Sequence, residues 1–488
     1  MFLCPQPKKL ELNKGFYRFP VGTEPALEEK ITPLLSQKES YRIEIDEKGV
    51  HIEGADEKGI YYAHVTLEQL KRNYRGCLPF VYIYDEPDYY YRGFMLDCSR
   101  HFFTVEEIKK LIDGAAYFKF NKFHFHLTDD QGFRMEIESH PEVTQVGSVR
   151  KGSHFGKSHD DEEQYTGYYT KAELKELVEY CKERYIEVIP EFDIPGHTSA
   201  LLCAKPELSC NGEGASVQTT AGIFPNILCI GKEETYKVIY DILDEICQVF
   251  PGEYVHIGGD EVPKKNWNEC PLCQKKREEN NLKTMEELQG VFTNEISYYL
   301  KKKGKKAICW NEAIRGGNVE IDNVTVAHWM DKTDATVNWA NNGGPVILEN
   351  FAPFYVDYPH GMHSLRDIFI FNPKKQKGFN DTGKACIVGI ESPLWTEFVT
   401  NEKIMHSLCF PRWFAVSEVA WNSDRERDFP AFLKTSQFFC EVLREKGITS
   451  AEESEWNILP HKRLSQTLSF ATKNITVNTI KQFFRGNK

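Results

Sequence analysis

The residues best equipped for chemistry lie together in Tyr254-Val-His-Ile-Gly-Gly-Asp-Glu-Val262. A short apolar run of the buried-strand kind leads into Gly258-Gly259, and Asp260 and Glu261 follow where that strand should stop. The glycines remove Cβ atoms that would hold a bulky ligand off the backbone. Neighbouring strand residues point to opposite faces, so Asp260 and Glu261 can serve one ligand only if the chain bends there. Two close carboxyls do not ionise independently, and one of them can be held protonated as an acid. A bare Asp-Glu pair would be read as a solvated acidic turn at a strand end; the surrounding chain decides between the two.

The elements that must position this pair come in repeats of strand, polar loop and helix from Arg92 onward. Strands are predicted at Gly93–Asp97, Lys122–Leu127, Glu187–Asp193, the central stretch, Ala307–Trp310, Val324–Trp329, Val346–Phe351 and Cys386–Glu391. Three helices open on capping boxes, Thr104 with Glu107, Thr170 with Glu173 and Thr284 with Glu287. Ile108, Leu111, Ile112 and Ala115 form the buried stripe of the first. Alternating β and α elements imply a parallel sheet, and eight repeats in roughly 330 residues fit a (β/α)8 TIM barrel. Active sites of such barrels lie at the C-terminal strand ends.

The unusual polar and aromatic residues keep to that rim. In strand order they are Asp97 and Arg100; Asp129 and Asp130; His197; Asp260 and Glu261; Trp310; Trp329; Tyr355 and Asp357; Trp395 and Glu397. Residues needed only for stability have no reason to gather at one end. Carboxylates, an arginine, a histidine and several indoles suit a carbohydrate: indole faces cover the apolar faces of sugar rings, while carboxylates and Arg bond hydroxyls.

A small α/β domain precedes the barrel, at residues 1–88. Tyr41–Ile45 alternates and can pair with Val50–Glu53 across the Asp46–Gly49 turn, and Ile60, Ala63, Leu67 and Leu70 recur at helical spacing. The barrel is assigned to 89–424 and a helical extension packed on it to 425–488. In that extension Phe429–Lys446 reads as an amphipathic helix, and the tail after Leu459 lacks strong periodicity.

Composition is that of an ordinary globular protein, with 41% hydrophobic and 27% charged residues. The net charge of −12 argues against a nucleic-acid partner. No apolar run is long enough for a transmembrane helix, so no membrane role is expected. The N-terminal residues MFLCPQPKKLELNKG lack a signal-peptide core, so a cytoplasmic location is expected. The 14 cysteines are scattered and read as buried free thiols. Cys270-Pro-Leu-Cys273 is the one close pair; a zinc site there needs two more ligands, and no second Cys-x-x-Cys supplies them. No metal and no cofactor is expected.

Five segments, in order, resemble the β-N-acetylhexosaminidases of glycoside hydrolase family 20. They are Arg92-Gly-Phe-Met-Leu-Asp-Cys-Ser-Arg-His101, Asn121-Lys-Phe-His-Phe-His-Leu-Thr-Asp-Asp-Gln-Gly132, Pro190-Glu-Phe-Asp-Ile-Pro-Gly-His-Thr198, His256-Ile-Gly-Gly-Asp-Glu261 and Gly389-Ile-Glu-Ser-Pro-Leu-Trp-Thr-Glu397. Gly59–Leu70 is similar to part of the small domain that precedes such barrels. The resemblance implies exo-acting hydrolysis of terminal β-linked GlcNAc or GalNAc from an oligosaccharide or glycoconjugate, with retention and with the substrate's own acetamide oxygen as nucleophile. It assigns Glu261 as general acid and base, Asp260 as the group that holds the acetamide N–H, and Tyr355 as the donor to the acetamide carbonyl. Asp129 and His197 become a supporting pair beside the acid. Arg100 would grip ring hydroxyls, with Asp357 and Glu397 at the far edge, and Trp310, Trp329 and Trp395 would wall the acetamide and ring. The aromatic that borders the leaving group in the family has no clear counterpart here; His363, Phe369 and Phe371 are its candidates. His124, His126 and His256 are read as structural, bonded within their strands. Two rival readings stay open on the residues alone. One is a metal-dependent hydrolase using His124, His126, Asp129, His197 and Asp260; the other is a sugar-binding protein without turnover.

Overall fold

The computed structural model describes residues 1–157 and 159–474. The small domain is one five-stranded sheet, built from β1 (Lys9–Arg18), β2 (Leu27–Ile31), β3 (Tyr41–Ile45), β4 (Val50–Gly54) and β5 (Cys77–Asp85), with helix α1 (Glu57–Asn73) across one face. The sheet order is β1-β5-β3-β4-β2. The β3–β4 hairpin has the expected register, with Ile45 opposite Val50. β1 and β2 are almost wholly exposed and carry no inward-outward alternation, so periodicity could not reveal them. The Asp56 side chain caps α1 by accepting from Gly59 N–H, and Tyr62, Ala63, Leu67 and Leu70 face the sheet.

Eight parallel strands then close into a barrel. They are β6 (Tyr91–Asp97), β7 (Lys122–His126), β8 (Glu187–Glu191), β9 (Tyr254–His256), β10 (Lys306–Trp310), β11 (Val324–His328), β12 (Val346–Leu348) and β13 (Ile387–Leu394). β13 pairs with β6 to complete the circle. The helices α2 (Val105–Tyr117), α3 (Lys171–Lys182), α4 (Glu233–Val249) and α5 (Met285–Lys302) follow the first four strands. All three expected capping boxes form, on α2, α3 and α5. One repeat departs from the expectation: only short 3-10 turns, Asn311–Ile314 and Ile321–Asn323, join β10 to β11. The connection is too short for a helix to return along the barrel wall.

The main apolar core fills the space between strands and outer helices. Inside the barrel, Tyr91, Ile189, Tyr254, Ile308, Trp310, Ala327 and Ile347 pack together. Helix α6 (Arg412–Trp421) follows the barrel and is buried on every side. Helix α7 (Phe429–Glu445) matches the amphipathic expectation. The tail after Leu459, read as aperiodic, forms α8 (Pro460–Asn474). Its Phe470 ring lies 5.6 Å from Tyr358 and 5.4 Å from Phe398, and Arg463 donates to Gly361 O. The helix therefore packs on the loops that leave β12 and β13. Residues 475–488 of the assigned extension lie outside the described residues.

Candidate active site

The bend at the end of β9 takes the form the glycines allow. Gly258 and Gly259 have φ of +61° and +100°, and Glu261 itself is left-handed at +48°. A Cβ on Gly258 would lie 1.7 Å from Asp193 Oδ1, so no side chain fits there. Asp193 Oδ1 accepts from Gly259 N–H, and Gln289 on α5 donates to Gly259 O at 2.7 Å. A left-handed glutamate is uncommon and costs energy. Glu261 N–H is held in it by Glu312 Oε2, 2.7 Å away on the turn after β10. As a result Asp260 and Glu261 face the same imidazole, with His197 Nε2 3.8 Å from Asp260 Oδ2 and 3.7 Å from Glu261 Oε2.

His197 is also left-handed, at φ +49°. Its Nδ1 lies 3.2 Å from Asp129 Oδ1 and 3.1 Å from Asp130 Oδ2, so both aspartates point inward. Burial disfavours its charge, but Asp129 and Asp260 outweigh burial and hold it protonated well above the usual range. Asp129 is in turn held well below the carboxylate range: burial opposes this, and Arg100 and His197 override it. Arg100 bonds Asp129 Oδ2 at 2.6 Å and Asp97 Oδ2 at 3.2 Å, and lies 4.9 Å over the Trp395 ring. Asp260 behaves differently. Burial pushes its pKa up to about 7, with Glu261 and Glu312 adding to the rise and His197 opposing it.

Trp329, Tyr355 and Trp395 line the wall beside Asp260, with ring centroids 6.2 Å apart for Trp329–Tyr355 and 6.4 Å for Tyr355–Trp395. Trp310 is 6.0 Å from Trp395 but lies deeper, inside the barrel, as a floor more than a wall. Its indole N–H donates to Glu191 at 2.8 Å. Asp357 and Glu397 stand at the far edge, where burial raises both carboxyls; Glu397 adds to the rise of Asp357, and Arg100 opposes that of Glu397. Several polar atoms around this hollow are buried without a protein partner: His197 Nε2, Asp260 Oδ1, Trp329 Nε1 and Asp357 Oδ1. Buried polar groups seldom remain unpaired, and their convergence marks a place for a polar ligand.

Sequence reasoning missed the support below. Glu191, at the end of β8, meets His124 Nε2 at 3.0 Å and His256 Nδ1 at 2.9 Å, and also bonds His126 Nδ1. His124 Nδ1 faces Glu391 at 2.7 Å, and Tyr91 donates to Glu391 at 2.5 Å. His126 Nε2 reaches Asp129 at 3.0 Å. The three histidines bond across the barrel interior and not, as expected from the sequence, within their strands. Both ring nitrogens of His124 and His126 face carboxylates, and Arg100 supplies a cation beside Asp129. Glu191 and Glu391 sit inside quoted motifs, but which carboxylate each histidine meets depends on barrel closure.

The candidates for a leaving-group aromatic turn away. His363 bonds Tyr355 O at 2.6 Å, Phe369 stacks on Phe432 at 4.1 Å, and Phe371 packs on Phe354. Each fills a core gap. Tyr358 is half-buried and has Asp357, Glu397 and Glu261 as its charged neighbours, which brings it to the hollow instead.

A closed (β/α)-barrel with a paired carboxyl site and an aromatic-walled hollow at its C-terminal rim suits a glycoside hydrolase. The profile of "Glycosyl hydrolase family 20, catalytic domain" matches residues 89–424, and that of "Glycosyl hydrolase family 20, domain 2" matches 23–86. The chain belongs to glycosyl hydrolase family 20. It is 36% identical over 438 residues to a β-hexosaminidase of Porphyromonas gingivalis, covering 86% of this chain and 55% of that protein, so it spans little more than half of that relative. The β-N-acetylhexosaminidase structure from Bacteroides fragilis NCTC 9343 superimposes with a TM-score of 0.81 at 30% identity, over 92% of this chain and 97% of the other. An exo β-N-acetylglucosaminidase of Vibrio harveyi in complex with N-acetylglucosamine gives 0.81 at 28% identity, over 92% of this chain and 78% of the other.

Proposed function

We propose that the chain is an exo-acting β-N-acetylhexosaminidase. It removes terminal β-linked GlcNAc or GalNAc from oligosaccharides or glycoconjugates by substrate-assisted, retaining hydrolysis. One observation carries this reading: the buried, unpartnered Oδ1 of half-buried Asp260 stands beside the aromatic wall of Trp329, Tyr355 and Trp395. A planar acetamide matches that combination, with its methyl group against the rings and its N–H on Asp260. The named activities of the relatives above agree with it.

In the first step the acetamide oxygen attacks the anomeric carbon while Glu261 gives its proton to the departing glycosidic oxygen, and the C–O bond breaks. The product is a bicyclic oxazolinium. Ionised Asp260 accepts from the acetamide N–H and offsets the positive charge that develops there. Tyr355 donates its hydroxyl to the acetamide oxygen and aims it. In the second step a water attacks the same carbon, gives its proton to Glu261, and reopens the ring with overall retention. The protonated His197 beside Asp260 favours the ionised form that its role needs. Holding an intramolecular nucleophile in place is worth up to about 7–11 kcal/mol of barrier. Arg100, Asp357 and Glu397 bond the ring hydroxyls.

The test is release of nitrophenol from the β-GlcNAc, β-GalNAc and β-glucoside derivatives. Cleavage confined to the N-acetylated sugars, strongly impaired in Asp260→Asn, is expected. Equal cleavage of the glucoside would refute the acetamide nucleophile. Tight binding without turnover of any of the three would favour a sugar-binding protein.

A further inference from the structure

The fold assembles a second cluster that neither the catalytic site nor the cysteine spacing announces. Cys210, Cys229, Cys270 and Cys273 bring their four sulfur atoms within 4.8 Å of one another. Cys229 Sγ lies 3.6 Å from Cys273 Sγ and 3.7 Å from Cys270 Sγ, and Cys210 Sγ lies 3.9 Å from Cys273 Sγ. A disulfide needs about 2.05 Å. A tetrahedron of thiolates around zinc, with Zn–S of about 2.3 Å, has edges of about 3.8 Å. The observed separations fit the second figure and not the first. We propose that these four cysteines form a structural zinc site of the Cys4 type.

The surroundings are built for it. Cys270 is the N-cap of the helix Pro271–Glu279 and Cys273 lies in its first turn, where the free N–H groups favour thiolates. Cys210 and Cys229 lie on two strand-like segments joined by the Ser209–Leu228 bridge and by Cys229 N–H to Leu208 O at 2.8 Å. Gly231 presses against the backbone between the other two ligands: a Cβ there would lie 2.4 Å from Leu272 C and 2.6 Å from Cys273 N. Cys229, Cys270 and Cys273 are buried and Cys210 half-buried, as befits a closed site. The expectation that Cys270 and Cys273 lack partners fails because their partners come from another loop, 41 and 63 positions away for the Cys229–Cys270 and Cys210–Cys273 pairs. Tetrahedral all-sulfur coordination selects zinc over hard divalent ions.

The site links the two loops that carry the acid pair and its histidine. Leu228 N–H donates to Pro195 O, two residues before His197, and Trp267, three residues before Cys270, donates to Leu228 O. Zinc would fix these loops to each other without touching substrate.

The experiment is metal analysis of the full chain purified without chelators or metal-affinity resin. About one zinc per chain is expected, released on titration with an organomercurial thiol reagent. Cobalt exchanged into the site should give the intense visible bands of tetrahedral thiolate coordination. Cys210→Ser, at the half-buried corner, should weaken zinc binding by more than the about 10–100-fold that loss of an outer-shell partner costs. Cys309→Ser, in β10, should leave the zinc in place. A reduced protein that carries no zinc and takes up neither zinc nor cobalt overturns the proposal, as does zinc that persists in Cys210→Ser but is lost in His197→Asn. Stoichiometric iron in place of zinc overturns the choice of metal.

Discussion

At the scale of single residues, Asp260 and Glu261 share a bend but carry different burdens. Burial lifts Asp260 to about 7, so the folded protein keeps this proton through a range where an unfolded chain has lost it. Near pH 2 the group is protonated in both states and costs folding nothing; stability is lost as pH rises from about 4 to about 7, above which the charge is fully felt in the folded state. Asp260→Asn should therefore stabilise the fold at pH 8, by up to about 4 kcal/mol, and leave stability nearly unchanged near pH 2. On the proposed mechanism the same variant should lose about 100–1,000-fold in turnover, because its amide would not offset an oxazolinium charge. A variant that is less stable at pH 8 would contradict this account of the site. Turnover that needs ionised Asp260 also gives kcat/KM an acid limb. His197 opposes the rise, so His197→Asn should move that limb to higher pH, by about one unit or more. Glu261→Gln should cost about 100–10,000-fold on a sugar leaving group, and much less on nitrophenol, which departs without a proton. Comparing the two substrates in one assay isolates the acid role.

At the scale of elements, the rim was legible because each motif is contiguous. Strand, turn and functional residue lie within a dozen positions, so Arg100, Asp129, His197, Asp260, Glu261, Trp395 and Glu397 could be read from order alone. What could not be read comes from elements remote in sequence. Glu312 is 51 positions from Glu261, on a connection that was expected to carry a helix and holds a 3-10 turn instead. That turn sets Glu312 under the left-handed Glu261, and its backbone contact fixes where the acid points. Glu312→Gln keeps an acceptor oxygen and should lower kcat only a few-fold, whereas Glu312→Ala leaves the Glu261 N–H unbonded and should lower kcat at least about 10-fold with KM little changed. Equal losses in both variants, or a loss confined to KM, would show that the contact does not position the acid. The four-cysteine cluster and the Glu191 hub escaped for the same reason: a spacing rule sees near neighbours, and these partners meet only when the barrel closes. Helix α8 escaped differently. Its Phe470 contacts lie on one exposed helix whose apolar residues are too sparse for a periodic signal.

At the scale of the whole molecule, the small domain and the barrel meet in a buried polar node. Asp85, at the end of β5, accepts from Tyr41 OH at 2.5 Å, from Lys119 Nζ at 3.0 Å and from the Trp421 indole at 2.8 Å. Tyr41 and Asp85 belong to the small sheet, Lys119 to the loop after α2 and Trp421 to the end of α6. Nearby, Arg92 on β6 meets Glu39 at 2.8 Å and bonds the Tyr62 hydroxyl of α1 at 2.8 Å. Apolar packing runs through the same place, since Trp421 lies in the small domain's core cluster. A buried ion pair is a weak source of net stability, but removing one partner strands the other in a poor solvent. Asp85→Ala leaves Lys119, Tyr41 and Trp421 without their shared acceptor and should cost about 3–5 kcal/mol. The loss should not be spread evenly. The node joins the two domains, so calorimetry of the wild type should give one cooperative transition, and Asp85→Ala should split off a lower one belonging to the small domain. Asp85→Asn keeps an acceptor oxygen at the same place and should restore part of the coupling. If Asp85→Ala instead lowers a single transition without splitting it, the apolar contacts around Trp421 hold the domains together by themselves, and the polar node serves only to satisfy its own buried groups.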